Sequence, residues 1–363
     1  MREPDALAEL ARELDAAPAH AFDSESNSGF AYRERLCLLQ FNVAGSLWLV
    51  DLLALPGGQN AIDPLRRSLE SSDVTTWLHG GEFDVGSMKR DYDLALGGVW
   101  DTQQAASFLG WEKTGYGAVV ERVCGTALEK AYAHYDWGRR PIDERALHYA
   151  LDDVRYLPEV ARALEREVAA AGLAGEVAVA NEAVMQATWS SPAGTSNLWR
   201  IKGVHKLDPE RLPLLTALWE WREGEARRRD LPAGRMLHPE ALLAIARRHV
   251  RSIRELRRLL RGRNAAYAEE IFAVLQRAEK KPPRVPRRAR GERPTVGQQR
   301  RLKRLKDWRR AEAERRGVPQ PVVLPPTALQ HLARHGAAEL DSVPQLGDKR
   351  IQLYGSKLRE LCG

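Results

Sequence analysis

The chain of 363 residues is longer than one hydrophobic core ordinarily organises, which predicts two or three domains and excludes a single small module. Its 44% hydrophobic and 29% charged residues give the balance of a soluble globular protein and exclude wholesale disorder. The net charge of +7 conceals a division: residues 1–200 hold 18 Lys and Arg against 30 Asp and Glu, whereas residues 201–363 hold 38 against 19. A basic half predicts capture of a polyanion, because each phosphate neutralised releases condensed counterions; a solvated, charge-laced helical surface is the plainer alternative. An acidic half meeting the same polyanion makes sense if some of its carboxylates hold cations.

The opening MREPDALAEL is acidic where a secretory leader is basic and then apolar, so no signal peptide is expected and the predicted location is the cytoplasm. HAFDSES reads as a short strand, which puts Asp23 and Glu25 on the same side. Leu36 to Leu55 is too interrupted by Asn42, Gly45, Ser46 and Asp51 to lie in a bilayer. It predicts a hairpin, LCLLQFNV and LWLVDLLAL, joined through Ala44, Gly45 and Ser46. VTTWLHGGEFDVGSMKRDY predicts a strand, a diglycine turn and a helix start, with Asp84 just past the strand end, where α/β sheets bind ligands. His79, before the diglycine, reads as a structural histidine. Asp101 followed by Gln104 reads as a helix N-cap with a capping-box partner.

In DERALHYALDDVRYLPEV the apolar residues at 147, 150, 151 and 154 have helical periodicity. Tyr149 and Asp153, four apart, then share a face, and Asp152 is a solvated neighbour. Cys37, Cys124 and Cys362 form no CxxC pair, which excludes a disulfide framework and a cysteine-rich zinc site.

The basic half repeats itself at a spacing of 87 residues. WREGEARRRDLPAGRMLHPEALLAIAR, from Trp221 to Arg247, aligns without a gap onto WRRAEAERRGVPQPVVLPPTALQHLAR, from Trp308 to Arg334, with 13 identities in 27 positions. Chance from average residue usage gives roughly two. Each copy predicts an amphipathic helix with a Trp-Arg pair, a break at proline, and a second helix after a Leu-Pro or Leu-His-Pro turn. The intervening KKPPRVPRRARGERPT reads as an extended linker or a strap that grazes phosphates.

On these patterns both copies resemble the helicase-and-RNase-D C-terminal (HRDC) domain, which implies a helical bundle that assists nucleic-acid binding; a protein-docking role stands beside it, and the tryptophans read as core. The order Asp23-x-Glu25, Asp84, Tyr149-xxx-Asp153 resembles the tyrosine-bearing branch of the DEDD exonuclease superfamily. LCLLQF, HGGEFDV, WDTQQAASFLG and DWGRRPI extend the resemblance to the ribonuclease D family. It implies an α/β ribonuclease H-like exonuclease domain, a mixed sheet flanked by helices, over 1–170. A connector over 171–204, an all-α HRDC-like bundle over 205–281, the basic linker over 282–294 and a second bundle over 295–363 follow.

The same resemblance implies a 3'-5' exoribonuclease that releases nucleoside 5'-monophosphates with two divalent ions, Mg²⁺ or Mn²⁺, hard cations suited to carboxylate oxygens. Asp23, Glu25 and Asp153 are implied to hold the ion that activates water, Asp23 to bridge to the second, Asp84 to support that one, and Tyr149 to position the water. His148 also satisfies the H-xxxx-D spacing of the histidine-bearing branch and is the runner-up; a four-residue helical step keeps Tyr149 nearer to Asp153's face than a five-residue step keeps His148. Arg139 and Arg140 match a family segment, as substrate-phosphate contacts or as partners within the fold. The implied partner is RNA with single-stranded 3' ends, tRNA precursors among them, without a membrane. A DNA exonuclease of the repair or proofreading type, and a silent RNA-binding scaffold, are the competing readings.

Overall fold

The computed structural model describes residues 4–129, 131–132, 134–189, 195–260, 262–288 and 293–363. Residues 190–194 of the expected connector and 289–292 of the expected linker lie outside the described residues. By contacts the chain divides into two compact units, one of Met1–Ser26, Leu36–Trp189 and Arg293–Gly363, the other of Asn27–Arg35 and Ser190–Glu292.

The first unit is built on a five-stranded sheet. Helix α1 (Pro4–Ala16) carries Leu7, Leu10 and Leu14 at the three- and four-residue spacing of one helical face, and that face is buried against the sheet core. The strands are β1 (Ala19–Ser26), β2 (Leu36–Val43), β3 (Ser46–Asp51), β4 (Thr75–Leu78) and β5 (Val99–Asp101), in the order β3-β2-β1-β4-β5. β1, β2 and β3 are antiparallel neighbours, while β4 runs parallel to both β1 and β5. The sheet is therefore mixed. All eight residues of β2 are buried, which explains why LCLLQFNV is almost continuously apolar. The expected hairpin forms with Val43 opposite Ser46, but its second strand ends at Asp51. Beyond it, Ala54 and Leu55 donate backbone bonds to the Asp51 carbonyl, a turn that diverts the remaining apolar residues out of the sheet.

The alternation of β1 decides what each side chain meets. Phe22 packs beneath the sheet against Phe41, 5.2 Å between ring centroids, in the core that α1 also enters. Ala21 points the other way, into a cluster with Trp77, Val154 and Leu157. Asp23 and Glu25 follow Ala21 on that second face.

After the turn α2 (Arg66–Leu69) come α3 (Glu82–Tyr92), α4 (Thr102–Phe108), α5 (Tyr116–Cys124), α6 (Glu144–Arg155), α7 (Leu157–Ala170) and α8 (Ala174–Met185). Val85 and Met88 of α3 pack on the Phe22 side of the sheet, while Val154 of α6 and Leu157 of α7 pack on the Ala21 side. α8 corrects the expected connector over 171–204: Val177 and Val184 are buried in the cores of the first unit, so the helix belongs to that unit.

The second unit holds α9 (Leu212–Arg229), α10 (Ala233–Met236), α11 (Pro239–Ala246), α12 (Ile253–Leu259) and α13 (Ala268–Lys280). The second sequence copy forms α14 (Val296–Arg316), α15 (Gln320–Val323), α16 (Pro326–His335) and α17 (Asp348–Cys362). The repeat is one of contacts as well as letters. Arg222 Nη1 donates to the Leu237 carbonyl at 3.2 Å, and Arg309 Nη1 donates to the Leu324 carbonyl at 3.2 Å. Trp221 meets Tyr267 edge-on at 5.9 Å, and Trp308 meets Tyr354 likewise at 5.2 Å. Each tryptophan packs beside its module's core, as the sequence suggested.

The copies differ in what they join. Val322 of the second is buried in a cluster with Phe108, Val160, Leu164 and Val177. Lys349 Nζ donates to Glu176 Oε2 at 2.6 Å and to the Gly172 carbonyl, and buried Arg350 donates to the Val322 carbonyl at 2.8 Å. No helix among the described residues is long and apolar enough to cross a membrane.

Candidate active site

Three elements deliver carboxylates to the end of β1. β1 itself supplies Asp23 and Glu25, and α6 supplies Asp153 from beside its buried Val154. One carboxylate oxygen from each of the three lies within 4.8 Å of the others, the set among the described residues able to hold a metal ion. Asp84 arrives from the opposite side of the sheet, in the first turn of α3, and lines the same 270 Å³ pocket with His79, Phe83, Tyr116 and Leu157. The pocket thus wraps the strand end, with three carboxylates on one face and the fourth on the other.

The position of Asp84 is fixed from two directions. The Ser24 hydroxyl, which alternation places on the face opposite Asp23 and Glu25, donates to Asp84 Oδ1. Behind it, the fully buried Asp101 accepts from Gly80 N at 3.0 Å and Gly81 N at 2.8 Å, the turn that starts α3. Asp101 also accepts from Gln103 N at 2.8 Å and Gln104 N at 3.2 Å as the N-cap of α4. The expected N-cap is present, but the Asp101 backbone N–H donates to Asn181 Oδ1 at 3.1 Å in place of the expected capping-box partner Gln104, and the second carboxylate oxygen has a use that the local sequence did not signal. Gly80 has a φ of +70°, a left-handed conformation that L side chains rarely adopt, so this turn favours a glycine.

Burial and crowding hold the carboxyls protonated well above their ordinary range. Asp23 is raised by burial and then by Asp84, Asp153 and Glu25. Glu25 is pushed up to about 9, first by burial and then by Asp153 and Asp84. Asp153 rises to about 7 through burial, Asp152 and Asp84. Asp84 rises only to about 6, because the Ser24 hydroxyl offsets part of its burial. Such a set is frustrated without positive charge, and its hard oxygen donors suit a divalent cation such as Mg²⁺ or Mn²⁺.

Tyr149 sits one turn before Asp153 on α6, with its ring 6.5 Å from Trp137 in a stacked arrangement. Burial and the negative charge of Asp153, Glu25 and Asp23 hold its hydroxyl protonated beyond the usual tyrosine range. His148 is not brought to this cluster: it is exposed, with Nδ1 2.9 Å from the Glu144 carbonyl oxygen. The five-residue step turns it away from Asp153.

Arg140 is tied into the protein, donating from Nε to Asp51 Oδ2 at 2.9 Å and from Nη1 to the Trp137 carbonyl at 2.7 Å. Of the two readings of Arg140, these bonds support the partner within the fold; Arg139 is exposed. His79 is neutral, pushed down to about 4 by burial, with Nδ1 2.8 Å from Thr102 Oγ1.

Ser24, Phe83 and Tyr116 line the pocket without having been singled out in the sequence. Strand alternation applied to Ser24 was an available signal for the face opposite Asp23. Tyr116, whose hydroxyl donates to the Asp152 carbonyl at 3.2 Å, is brought in by tertiary packing and left no local signal.

The 3'-5' exonuclease family model matches residues 1–169, and the HRDC domain model matches residues 211–275 and 298–362. Ribonuclease D of Escherichia coli K12 is 30% identical over 282 residues, 77% of this chain and 74% of that protein. The crystal structure of Escherichia coli RNase D, an exoribonuclease involved in structured RNA processing, matches with a TM-score of 0.72 at 25% identity, covering 99% of this chain and 97% of that one. A protein from Bifidobacterium adolescentis shares the fold with a TM-score of 0.82 at 20% identity, covering 100% of this chain and 96% of that one. With relatedness extending over more than two thirds of both proteins and both kinds of domain matched in order, the chain belongs to the ribonuclease D family of metal-dependent 3'-5' exoribonucleases.

Proposed function

We propose that the chain shortens RNA one nucleotide at a time from the 3' end, releasing nucleoside 5'-monophosphates, with two divalent ions, Mg²⁺ or Mn²⁺, and with precursor tRNA among its substrates. The observation that carries this reading is the convergence of Asp23, Glu25 and Asp153 oxygens within 4.8 Å, with Asp84 in the same pocket. Asp23, Glu25 and Asp153 would hold one ion, and Asp84, together with Asp23, would hold the other. When bound, the ions supply charge neutralisation at the scissile phosphate and a more acidic water.

The other roles fall to the chain's own groups. Tyr149, kept protonated, hydrogen-bonds the attacking water and fixes its direction. The water oxygen joins the phosphorus and the bond to the 3' oxygen of the preceding nucleotide breaks; of the water's two protons, one ends on that 3' oxygen and the other is released from the new 5'-monophosphate to solvent. Ser24 keeps Asp84 aimed into the pocket. The basic excess of residues 201–363 supplies affinity for the phosphate backbone that the acidic pocket lacks. The three free cysteines accord with a reducing, cytoplasmic location.

The test is stepwise degradation of a 3'-tailed precursor tRNA and of a matched DNA with Mg²⁺ or Mn²⁺. RNA shortened from its 3' end, abolished by EDTA and by Asp23→Asn, is the expected result. Preferential cleavage of DNA, or no metal-dependent cleavage by folded protein, overturns it.

A further inference from the structure

Phe83 is one of four large apolar side chains exposed among the described residues, the others being Leu231, Val296 and Leu353, and of these four it alone lines the carboxylate pocket. Its relative exposure is 42%, and it packs into none of the buried apolar clusters, although its neighbours Asp84 and Val85 in the first turn of α3 are buried. The other apolar contributors to the pocket are already engaged: Leu157 is buried with Trp77 and Val154, and Tyr116 donates its hydroxyl to the Asp152 carbonyl. A phenyl ring 42% exposed adds little to the fold, and of its polar neighbours in the pocket Asp23, Glu25, Asp84 and Asp153 repel anions while Ser24, neutral His79 and Tyr116 carry no charge to attract one. What reaches this pocket is the end of a nucleic acid, and the feature of a nucleotide that complements an aromatic face is the π face of its base.

Resting on the exoribonuclease reading above, we propose that Phe83 is the stacking platform for the base of the 3'-terminal nucleotide. The Asp101 carboxylate that fixes the Gly80–Gly81 turn also fixes the start of α3, so the ring is presented from a rigid helical end. Stacking accepts any of the four bases, which suits an enzyme that removes successive nucleotides of every kind. Phe83 therefore sets the register of the terminal nucleotide against the carboxylates while taking no part in bond cleavage.

The test compares two RNAs that differ only at the 3'-terminal nucleotide, one bearing its base and the other abasic, in wild type, Phe83→Ala, Phe83→Leu and Phe83→Trp. Wild type is expected to remove the base-bearing nucleotide with a kcat/KM about tenfold above the abasic one. In Phe83→Ala that preference collapses toward unity, with the loss confined to the base-bearing RNA and seen chiefly in KM. Phe83→Trp retains the preference, and Phe83→Leu, which keeps apolar bulk but no π face, loses most of it. Equal slowing of both RNAs, or a preference unchanged in Phe83→Ala, overturns the proposal while leaving the exonuclease reading intact. A wild type that shortens neither RNA overturns the exonuclease reading itself.

Discussion

The Ser24 hydroxyl donates to the Asp84 carboxylate although Ser24 stands between Asp23 and Glu25 in sequence and faces the other side of their strand. One strand end therefore organises three of the four carboxylates: its odd residues carry two, and its even residue aims a third, while the fourth, Asp153, comes from α6. In Ser24→Ala, Asp84 loses the bond that restrains its rise and becomes protonated at higher pH than about 6. Metal affinity should fall about 10- to 100-fold, as when a ligand loses its outer hydrogen-bond partner. A Mn²⁺ titration of activity reads this directly, with the maximal rate recovered at saturating metal; an unchanged midpoint refutes it.

Asp23→Asn and Asp153→Asn remove charge from the three-carboxylate cluster while keeping side-chain size. Each is expected to lower kcat on the order of 10²- to 10⁴-fold, the scale of several kcal/mol of lost metal-dependent charge stabilisation. Both should fold, and both should be at least as stable as wild type in EDTA, because each relieves repulsion. Thermal melts beside single-turnover rates separate these effects.

The raised carboxyls give the metal-free protein a defined pH dependence. Their unfolded values lie near 4, whereas in the folded chain Asp84, Asp153 and Glu25 hold protons up to about 6, 7 and 9. The folded state then binds more protons than the unfolded one across that window, so stability falls as pH rises from about 4 to 9. Melting temperature in EDTA should decline over this range, and added Mg²⁺ or Mn²⁺ should flatten the decline. A flat profile in EDTA contradicts the frustrated-cluster account.

Tyr149→Phe and His148→Ala separate the two candidates of the third motif. Loss of the Tyr149 hydroxyl should reduce kcat about 10- to 100-fold with little change in KM, as expected for a group that orients water. His148 is exposed and bound to its own helix, so His148→Ala should leave kcat within about twofold. The reverse pattern would assign the histidine to catalysis.

Asp101→Asn keeps one acceptor oxygen where four backbone N–H groups now converge on two. A cost of about 1–3 kcal/mol is expected from the buried donors left unmatched, together with weaker activity because the start of α3 carries Asp84. Chemical denaturation and a metal titration of the same variant report the two consequences.

Much of this was legible in advance where local pattern and tertiary role coincide. The period-two side chains of HAFDSES gave the shared face of Asp23 and Glu25, and the i, i+4 step gave Tyr149 with Asp153. The strand, glycine turn and helix of TTWLHGGEFD located Asp84. The hidden parts are those where distant segments meet. Nothing around Tyr116 foretells its place beside Asp153, and the small-residue helix AGEVAVANEAVM reads as a link until its partners are in view. The 27-residue repeat foretold paired contacts such as those of Arg222 and Arg309, because identical letters at equal spacing rebuild the same bonds. It did not foretell that the second copy would be built into the catalytic unit while the first stands in a unit of its own with residues 27–35.

That divergence changes what the end of the chain is. Val322 plugs a core to which α4, α5, α7 and α8 contribute, and Lys349 neutralises a glutamate with no exposed side-chain surface. Ending the chain before residue 293 would therefore open a hydrophobic wall of the catalytic unit and strand a buried negative charge beneath it. The last module, to judge by its sequence an appendage, is in physical terms masonry of the nuclease.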